Sequence, residues 1–213
     1  MTLKPPRIPA LVLPALRDSD GDGFAAGADR LRIEGADLSG VRARDAYFRE
    51  SELVNLRLDG ARLGGCRFLE VRCDRLDAPD LDAGRSVWRD CEVHGSRLGS
   101  FGLFGAELSG VRFVGCKLSY LGLQDASLTD VSFEDCQIDE VDAGGAELRR
   151  VRFADTSIGE LRLPGATLQH VDLRSARLGA VGPVTALSGA TLSAAGLFDL
   201  APQLAAGLGI EVD

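Results

Sequence analysis

Several features of enzymes and membrane proteins are missing from this sequence. Only two of its 213 residues are histidines, His94 and His170, and neither has a nucleophile and a carboxylate at the spacing of a catalytic triad. There is no glycine-rich phosphate-binding motif and no CxxC pair for zinc. No apolar run approaches the roughly 20 residues of a membrane-spanning helix. The sequence therefore predicts a protein without enzymatic activity, without a cofactor and without a membrane span.

Basic charge is also in deficit. Lys and Arg number 24 against 32 for Asp and Glu, and the net charge of −8 argues against direct binding of nucleic acid. The short apolar stretch from Leu11 to Leu13 lies between Pro9 and Pro14, which does not favour a signal peptide.

What the sequence has instead is a strict repeat of uncharged, mostly apolar positions every five residues. Thirty consecutive five-residue blocks run from Leu31 to Ala180 without insertion or deletion, and the first and third positions of each block carry no charge. The third position is aliphatic, aromatic or small, from Ile33 to Leu178. A period of five fits neither a helix, at about 3.6, nor a strand, at about 2.0. These positions therefore predict the interior of a solenoid whose coils stack on one another.

The blocks group into fours. Apolar residues recur at a spacing of twenty, as in the two series Val111, Val131, Val151, Val171 and Phe113, Phe133, Phe153. Four blocks then form one coil, and the thirty blocks form about eight coils. At about 4.8 Å per stacked strand the rod is expected to be about 38 Å long, with backbone hydrogen bonds between coils.

Individual blocks resemble the A(D/N)LXX motif of the pentapeptide repeat proteins. Four blocks match it well: Ala36–Gly40, Ala106–Gly110, Ala126–Asp130 and Ala146–Arg150. In-frame blocks cover about 150 of the 213 residues. The resemblance implies an all-β solenoid, specifically a right-handed, quadrilateral (four-sided) β-helix. The bulky centre Trp88, beside small centres such as Ala83, predicts a local change in the width of the column.

The two ends fall outside the frame. Residues 1–30 hold a proline-rich stretch from Pro5 to Pro14 and a Gly/Asp-rich run, which predicts an irregular N-terminal arm. The β-helix is expected over residues 31–194, with a frame shift near 181–184. Residues 195–213 are expected to form a helix and tail, with Ser193 as N-cap, Pro202 splitting the helix and Gly209 ending it.

The C-terminal helix is interpreted as an α-helical cap on the open end of the solenoid. Its apolar stripe is wider than a cap needs and consists of Leu197, Phe198, Leu200, Leu204 and Leu208. A two-fold homodimer that buries this stripe explains its width. The resemblance implies the same, because quinolone-resistance members of the family are head-to-head dimers through C-terminal helices. A monomer whose helix folds onto its own last coil is the alternative.

All five cysteines occupy inward positions of the frame: Cys66, Cys73, Cys91, Cys116 and Cys136. Stacked side chains point in parallel, so a disulfide between Cys116 and Cys136 would be strained. We therefore expect free, buried thiols and a reducing, cytoplasmic location.

One segment of the arm matches the ligand spacing of a calcium loop. Its carboxylates are Asp18, Asp20, Asp22 and Asp29, with Gly23 at the sixth position. The twelfth position, however, holds an Asp in place of the usual bidentate Glu, and no helix is predicted on either side. An acidic, glycine-rich turn without metal is the alternative.

Because the interior positions are apolar, the function is expected to depend on the surface, where acidic and basic residues are unevenly distributed. No basic residue occurs between Lys117 and Arg149, and the acids of this segment are expected to wrap the rod as an acidic belt. The acidic belt consists of Asp125, Asp130, Glu134, Asp135, Asp139, Glu140, Asp142 and Glu147.

The family resemblance gives this belt a possible partner. Quinolone-resistance members are rods of duplex-DNA width with acidic surfaces that occupy the DNA-binding saddle of DNA gyrase. The resemblance therefore implies a DNA mimic that binds gyrase or another topoisomerase, and the frame without inserted loops is more similar to the mycobacterial type. The arginines mixed with acids in the earlier coils favour the alternative, a β-helical scaffold for a different protein partner.

Overall fold

The twenty-residue spacing of the sequence reappears as strand register in the computed structural model, which describes residues 2–211. Val131 pairs with Val111 on one side and with Val151 on the other, and every strand pairing is parallel. About eight coils stack in this way, each strand one coil from its partner. The structure confirms the predicted fold class, a β-helical solenoid of pentapeptide blocks with a C-terminal helix.

The strands are short because each block turns a corner of the coil. In the first half of the chain they are β1 (Arg17–Ser19), β2 (Gly27–Asp29), β3 (Leu31–Glu34), β4 (Tyr47–Arg49), β5 (Glu52–Val54), β6 (Ala61–Arg62), β7 (Arg67–Leu69), β8 (Arg72–Asp74), β9 (Asp77–Asp82), β10 (Val87–Arg89) and β11 (Glu92–His94). In the second half they are β12 (Arg97–Gly102), β13 (Glu107–Val114), β14 (Lys117–Gly122), β15 (Ser127–Glu134), β16 (Gln137–Asp142), β17 (Glu147–Ala154), β18 (Ser157–Arg162), β19 (Thr167–Gln169), β20 (Val171–Asp172), β21 (Arg177–Gly182) and β22 (Ala190–Thr191). The single α-helix of the described residues is α1 (Ala194–Gly207), and two 3-10 turns cover Phe24–Ala26 and Val184–Leu187.

Aromatic side chains form two columns inside the rod. The rings of Phe113, Phe133 and Phe153 stack with centroids 4.8 Å apart, which is the spacing of the strands that carry them. The other column is widened by Trp88, whose indole stacks on Phe68 at 4.0 Å. The indole Nε1 of Trp88 donates a hydrogen bond to the buried hydroxyl of Ser86, so the polar edge of the ring is satisfied.

Polar atoms at inward positions are satisfied by the backbone. The Thr156 hydroxyl lies within hydrogen-bond distance of the carbonyls of Phe133 and Ala154, at 3.1 and 2.9 Å. All five cysteines are buried and free, as predicted. Burial raises the pKa of Cys91 to about 12, and a hydrogen bond to Cys116 together with burial raises the pKa of Cys136. These thiols therefore act as small apolar side chains.

The N-terminal boundary differs from the expectation of an irregular arm over residues 1–30. β1 pairs with β3 and β2 pairs with β4, so the second half of that segment belongs to the sheet. Phe24 extends the aromatic column, 4.8 Å from the ring of Phe48, and is buried. The segment lacks the five-residue frame. It nevertheless covers the open end of the first coil with the buried ring of Phe24 and supplies strand partners to it.

The C-terminal end follows the predicted frame shift. Val171 pairs with Ala190, one residue short of the twenty-residue register. Ser193 is the N-cap of α1, and its side chain accepts a hydrogen bond from the N–H of Gly196. Gly209 adopts a left-handed conformation, and the N–H groups of Gly209 and Ile210 close the end of the helix. Residues 212 and 213 of the predicted tail lie outside the described residues.

The prediction that Pro202 splits the helix is wrong, because α1 is continuous through it. A proline inside a helix removes one backbone hydrogen bond, and its ring crowds the carbonyl four residues earlier, so other contacts must offset this cost. Contacts on both sides hold the helix in place: Leu200 is buried against the last coil, and Gln203 bonds to the backbone of β21.

Candidate functional site

The members of the acidic belt predicted from the sequence differ in exposure. Those exposed to solvent are Asp125, Asp135, Asp139 and Glu147. Those that are half-buried are Glu134, Glu140 and Asp142. Asp130 is buried. The belt is therefore not a uniform anionic surface.

The carboxylate of Asp130 is buried and bonded within the protein, so it is not available to a partner protein. Its carboxylate accepts hydrogen bonds from Nε and Nη2 of Arg150 at 2.6 and 2.5 Å, and the backbone N–H of Arg7 donates to it at 2.9 Å. The Arg150 guanidinium holds the pKa of Asp130 below its usual value. Including Asp130 in the partner-binding surface was wrong, because the next coil neutralises it and the N-terminal arm contacts it.

Arginines of neighbouring coils also enter the belt. The guanidinium of Arg162 lies 3.1 Å from Glu140 and 4.0 Å from Asp142. That of Arg112 lies 3.6 Å from Glu134. Each arginine is about one coil away in the chain, so the stretch that lacks basic residues in the sequence is not free of them in space.

One surface of the rod nevertheless groups acids of two neighbouring coils. We call this surface the acidic face; it follows β16 and β18 and the corners before them and consists of Asp135, Asp139, Glu140, Asp142, Asp155 and Glu160. Glu140 and Glu160 are partners in parallel register, so like charges stack there. Within residues 2–211, Arg162 is the one guanidinium that forms an ion pair with this surface.

Sequence reasoning missed two members of the acidic face. Asp155 and Glu160 follow Arg149, Arg150 and Arg152, which end the acidic stretch in the sequence. Those three arginines belong to β17, which lies in the other sheet. Reading the sequence in steps of twenty would have placed Glu160 beside Glu140.

A different side of the rod carries a ladder of alternating charges. In parallel register it reads Arg32, Glu52, Arg72, Glu92 and Arg112. Glu52 lies 3.0 Å from Arg32 and 3.8 Å from Arg72. Because each charge faces its opposite one coil away, the charges of this ladder largely cancel, and it presents a weak field to a charged partner.

The N-terminal arm crosses the coils on this same side. The Leu11 carbonyl accepts a hydrogen bond from Arg72 at 3.3 Å, and Arg7 reaches Asp130, three coils further along the rod. The half-buried side chains of the arm are Leu3, Pro6, Ile8, Leu11, Leu13 and Leu16. Val54 and Ala154, at outward positions of this side, are buried, as expected beneath an overlying chain. The expected irregular arm is therefore a docked strap that leaves the acidic face uncovered.

The candidate calcium ligands are not brought together. Asp18 lies in β1 and Asp29 in β2, where Asp29 accepts hydrogen bonds from Arg49. Asp20 accepts a hydrogen bond from the N–H of Asp22 in the turn between them. Within residues 2–211 no three His, Cys, Asp or Glu side chains are grouped to hold a metal ion.

The predicted dimerisation residues divide into two sets. Leu200 is buried and Leu204 is half-buried against the last coil, so these two cap their own solenoid. Leu197, Phe198 and Leu208 are exposed, Phe198 at 80 %. Gln203 adds to the cap, because its side-chain amide donates to the Gly179 carbonyl and accepts from the Val181 N–H, as another strand would.

The two histidines lie far apart, as predicted. His94 is in β11, with Nε2 3.2 Å from Glu92, and His170 lies at a corner after β19. Burial, Lys4 and Arg150 lower the pKa of His170. In the described part of the chain, no helix has both the length and the apolarity needed to cross a membrane.

Comparison with known proteins gives matches to pentapeptide repeats. Residues 104–163 match the family model of a pentapeptide repeat region, and residues 32–68 match that of pentapeptide repeats in eight copies. No curated protein matches the chain.

Solved structures give a similar result. HetL, a pentapeptide repeat protein involved in heterocyst differentiation regulation in the cyanobacterium Nostoc, is 18 % identical, with 70 % of this chain and 84 % of HetL covered and a TM-score of 0.38. A trypsin-treated form of QnrB1, a plasmid-mediated fluoroquinolone resistance protein, is 16 % identical, with 96 % and 98 % covered and a TM-score of 0.37. At these values the likeness carries no argument about function.

Proposed function

The chain belongs to the pentapeptide repeat family, and on this premise we propose that it is a non-enzymatic binding protein whose acidic face occupies the basic DNA channel of DNA gyrase or a related topoisomerase. The resemblance to the quinolone-resistance members suggests the partner. Quinolone resistance or self-resistance would be the cellular consequence, because an occupied channel holds no DNA for the drug to trap.

One observation carries the proposal: on the acidic face, acids of two neighbouring coils lie close together, and Glu140 and Glu160 stack in register. On the acidic face, Asp139 and Glu160 point to solvent from neighbouring coils and have no ion-pair partner within residues 2–211. The strap and the charge ladder occupy another side, so this surface stays free for a basic partner. Arg162 forms ion pairs with this surface, and Arg97 and Lys117 line a depression beside Asp139, but acids outnumber these bases, which leaves an anionic surface of the kind a DNA channel attracts.

A second candidate function is a scaffold for another protein partner. The charge ladder from Arg32 to Arg112 supports it, because most of the length of the rod is neutral by internal pairing. A duplex mimic of full length needs anionic surface along the whole rod. The acidic face covers about two coils, which suits a compact basic patch on any partner.

We also propose that a second copy of this chain covers the outer side of α1. Leu197, Phe198 and Leu208 are exposed there although the helix already caps its own solenoid. An isologous contact through these residues buries the same apolar surface on both copies. It joins two rods end to end and doubles the number of acidic faces.

Gyrase supercoiling tests the proposed function. Purified protein should inhibit ATP-dependent supercoiling or protect gyrase from quinolone-stabilised cleavage. The double variant Asp139→Lys/Glu160→Lys should lose the effect, while the control Asp59→Lys/Glu107→Lys, with the same change of charge at exposed positions elsewhere, should keep it. Equal loss in both variants would argue for net charge alone and against a defined face.

A further inference from the structure

The first coils carry a basic depression that the proposed function does not use. We call it the basic hollow; its volume is about 600 Å³ and it is lined by Arg42, Arg44, Arg62, Arg67, Arg85 and Phe104. The volume lies in the range of small-molecule sites, roughly 300–1,000 Å³. Two acids, Asp45 and Asp82, also line it, so positive charge is in excess.

These arginines are poorly neutralised by the protein. Arg42 and Arg62 are bridge partners in adjacent coils, where two like charges stand side by side. Arg62 reaches Asp80 at 2.9 Å, but Arg42, Arg44 and Arg85 form no ion pair with any residue in the range 2–211. Elsewhere on the rod, stacked arginines alternate with acids, as in the charge ladder. Grouped guanidinium groups in excess over acids are suited to bind an anion with several oxygens.

Glycines create the space between the arginines. Gly64, Gly65 and Gly84 occupy outward and corner positions and form the floor of the hollow. A Cβ atom on Gly84 would lie 2.2 Å from the Phe104 ring, so only glycine lets this ring lie against the coil below. Phe104 is 43 % exposed, and the Arg85 guanidinium lies 5.9 Å from the centre of its ring. An aromatic side chain thus borders these arginines.

We propose that the basic hollow binds a nucleoside polyphosphate, with the phosphates on Arg42, Arg44 and Arg62 and the base against Phe104. Guanidinium forks recognise phosphate oxygens in pairs, and a nucleobase stacks on an aromatic ring. The hollow has room for one nucleotide, and its lining residues come from four successive coils. At physiological salt, charges more than about 8 Å away are largely screened, so the net charge of −8 does not prevent binding.

Isothermal titration of the full chain at about 0.15 M salt tests the site, with ATP, tripolyphosphate, adenosine and a single-stranded oligonucleotide as probes. ATP should bind more tightly than tripolyphosphate or adenosine. Arg42→Ala/Arg44→Ala should weaken ATP by about tenfold or more, since hydrogen bonds to charged groups are lost. The matched control Arg89→Ala/Arg149→Ala, also exposed arginines, should bind as the parent does.

The aromatic contact has its own readout. Phe104→Leu should weaken ATP about fivefold or more, because base stacking is lost, and should leave tripolyphosphate unchanged. Absence of ATP binding at millimolar concentration would overturn the proposal, as would equal weakening by the control pair. Tighter binding of the oligonucleotide than of ATP would overturn it in favour of nucleic acid. None of these outcomes depends on gyrase, whose proposed contact lies on β16 and β18.

Discussion

The carboxylate of Asp130 and the guanidinium of Arg150, twenty residues apart in the chain, lie in adjacent coils and share two hydrogen bonds of 2.6 and 2.5 Å. Both side chains are 13 % exposed. Many ion pairs of this rod join residues twenty apart, in adjacent coils. Ion pairs therefore act as ties between coils, and an acid-rich stretch of sequence does not by itself make an acidic surface.

Removing the ion pair between Asp130 and Arg150 should destabilise the rod. Arg150→Ala leaves Asp130 charged and partly buried without its partner, and we expect a loss of about 2 kcal/mol in the free energy of unfolding. Arg149→Ala, at the neighbouring exposed position, should change it little. Urea denaturation of both variants measures the difference. Equal stability of the two would contradict the assigned role of the pair.

Stability should also depend on pH through this carboxylate. Arg150 lowers the pKa of Asp130, and Arg174 lowers the pKa of Asp172. A depressed folded-state pKa stabilises the fold at pH values above the unfolded value of about 3.9, and this contribution is lost as the pH falls through the folded-state pKa. The melting temperature should therefore drop below about pH 4. The drop should be smaller in Arg150→Ala, and an equal drop would assign it to other acids.

A charged substitution at an inward position tests which residues form the interior of the solenoid. Phe133 is fully buried between Phe113 and Phe153, so Phe133→Asp places a charge in a column that cannot hydrate it. We expect no soluble folded protein. Ser127→Asp, at an exposed position in the same strand, should fold as the parent does. Circular dichroism and melting curves distinguish the two, and an unchanged melt for Phe133→Asp would overturn the frame.

The fold could be predicted from the sequence because its signal is local and repeated. The inward positions, the twenty-residue coil and the N-cap Ser193 all follow from residue spacing, and the structure has each of them. The continuity of α1 could not be predicted. Pro202 is a helix breaker by propensity, and what opposes it is the packing of Leu200 and the bonding of Gln203 to a strand distant in the chain.

The surface was less predictable, because its properties depend on what lies across the coils. The arm has no five-residue frame, so nothing in its sequence places Arg7 beside Asp130 or Leu11 beside Arg72. The contact between Glu140 and Glu160 could have been predicted, since the two residues are twenty apart in the sequence and therefore lie in register. Proximity in the chain groups eight acids as a belt, whereas register groups four of them, Asp135, Asp139, Glu140 and Asp142, with Asp155 and Glu160.

The dimer proposal distinguishes the exposed apolar side chains of α1 from those that pack on the last coil. Phe198→Asp alters an exposed position, so it should give folded monomers. Leu200→Asp should instead unfold the cap, because that side chain is buried against the last coil. Light scattering measures the mass, and circular dichroism measures the fold. A parent protein that is already monomeric at micromolar concentration would refute the dimer.

Direct binding to purified gyrase tests the central claim, that the acidic face engages a basic channel. In a surface-binding assay the parent protein should bind, and binding should weaken steeply as salt rises from about 0.05 to 0.5 M, because exposed charges are screened. Asp139→Lys/Glu160→Lys should abolish binding, and Asp59→Lys/Glu107→Lys should preserve it. Absence of parent binding at low salt, or binding that both double variants retain, would contradict the account.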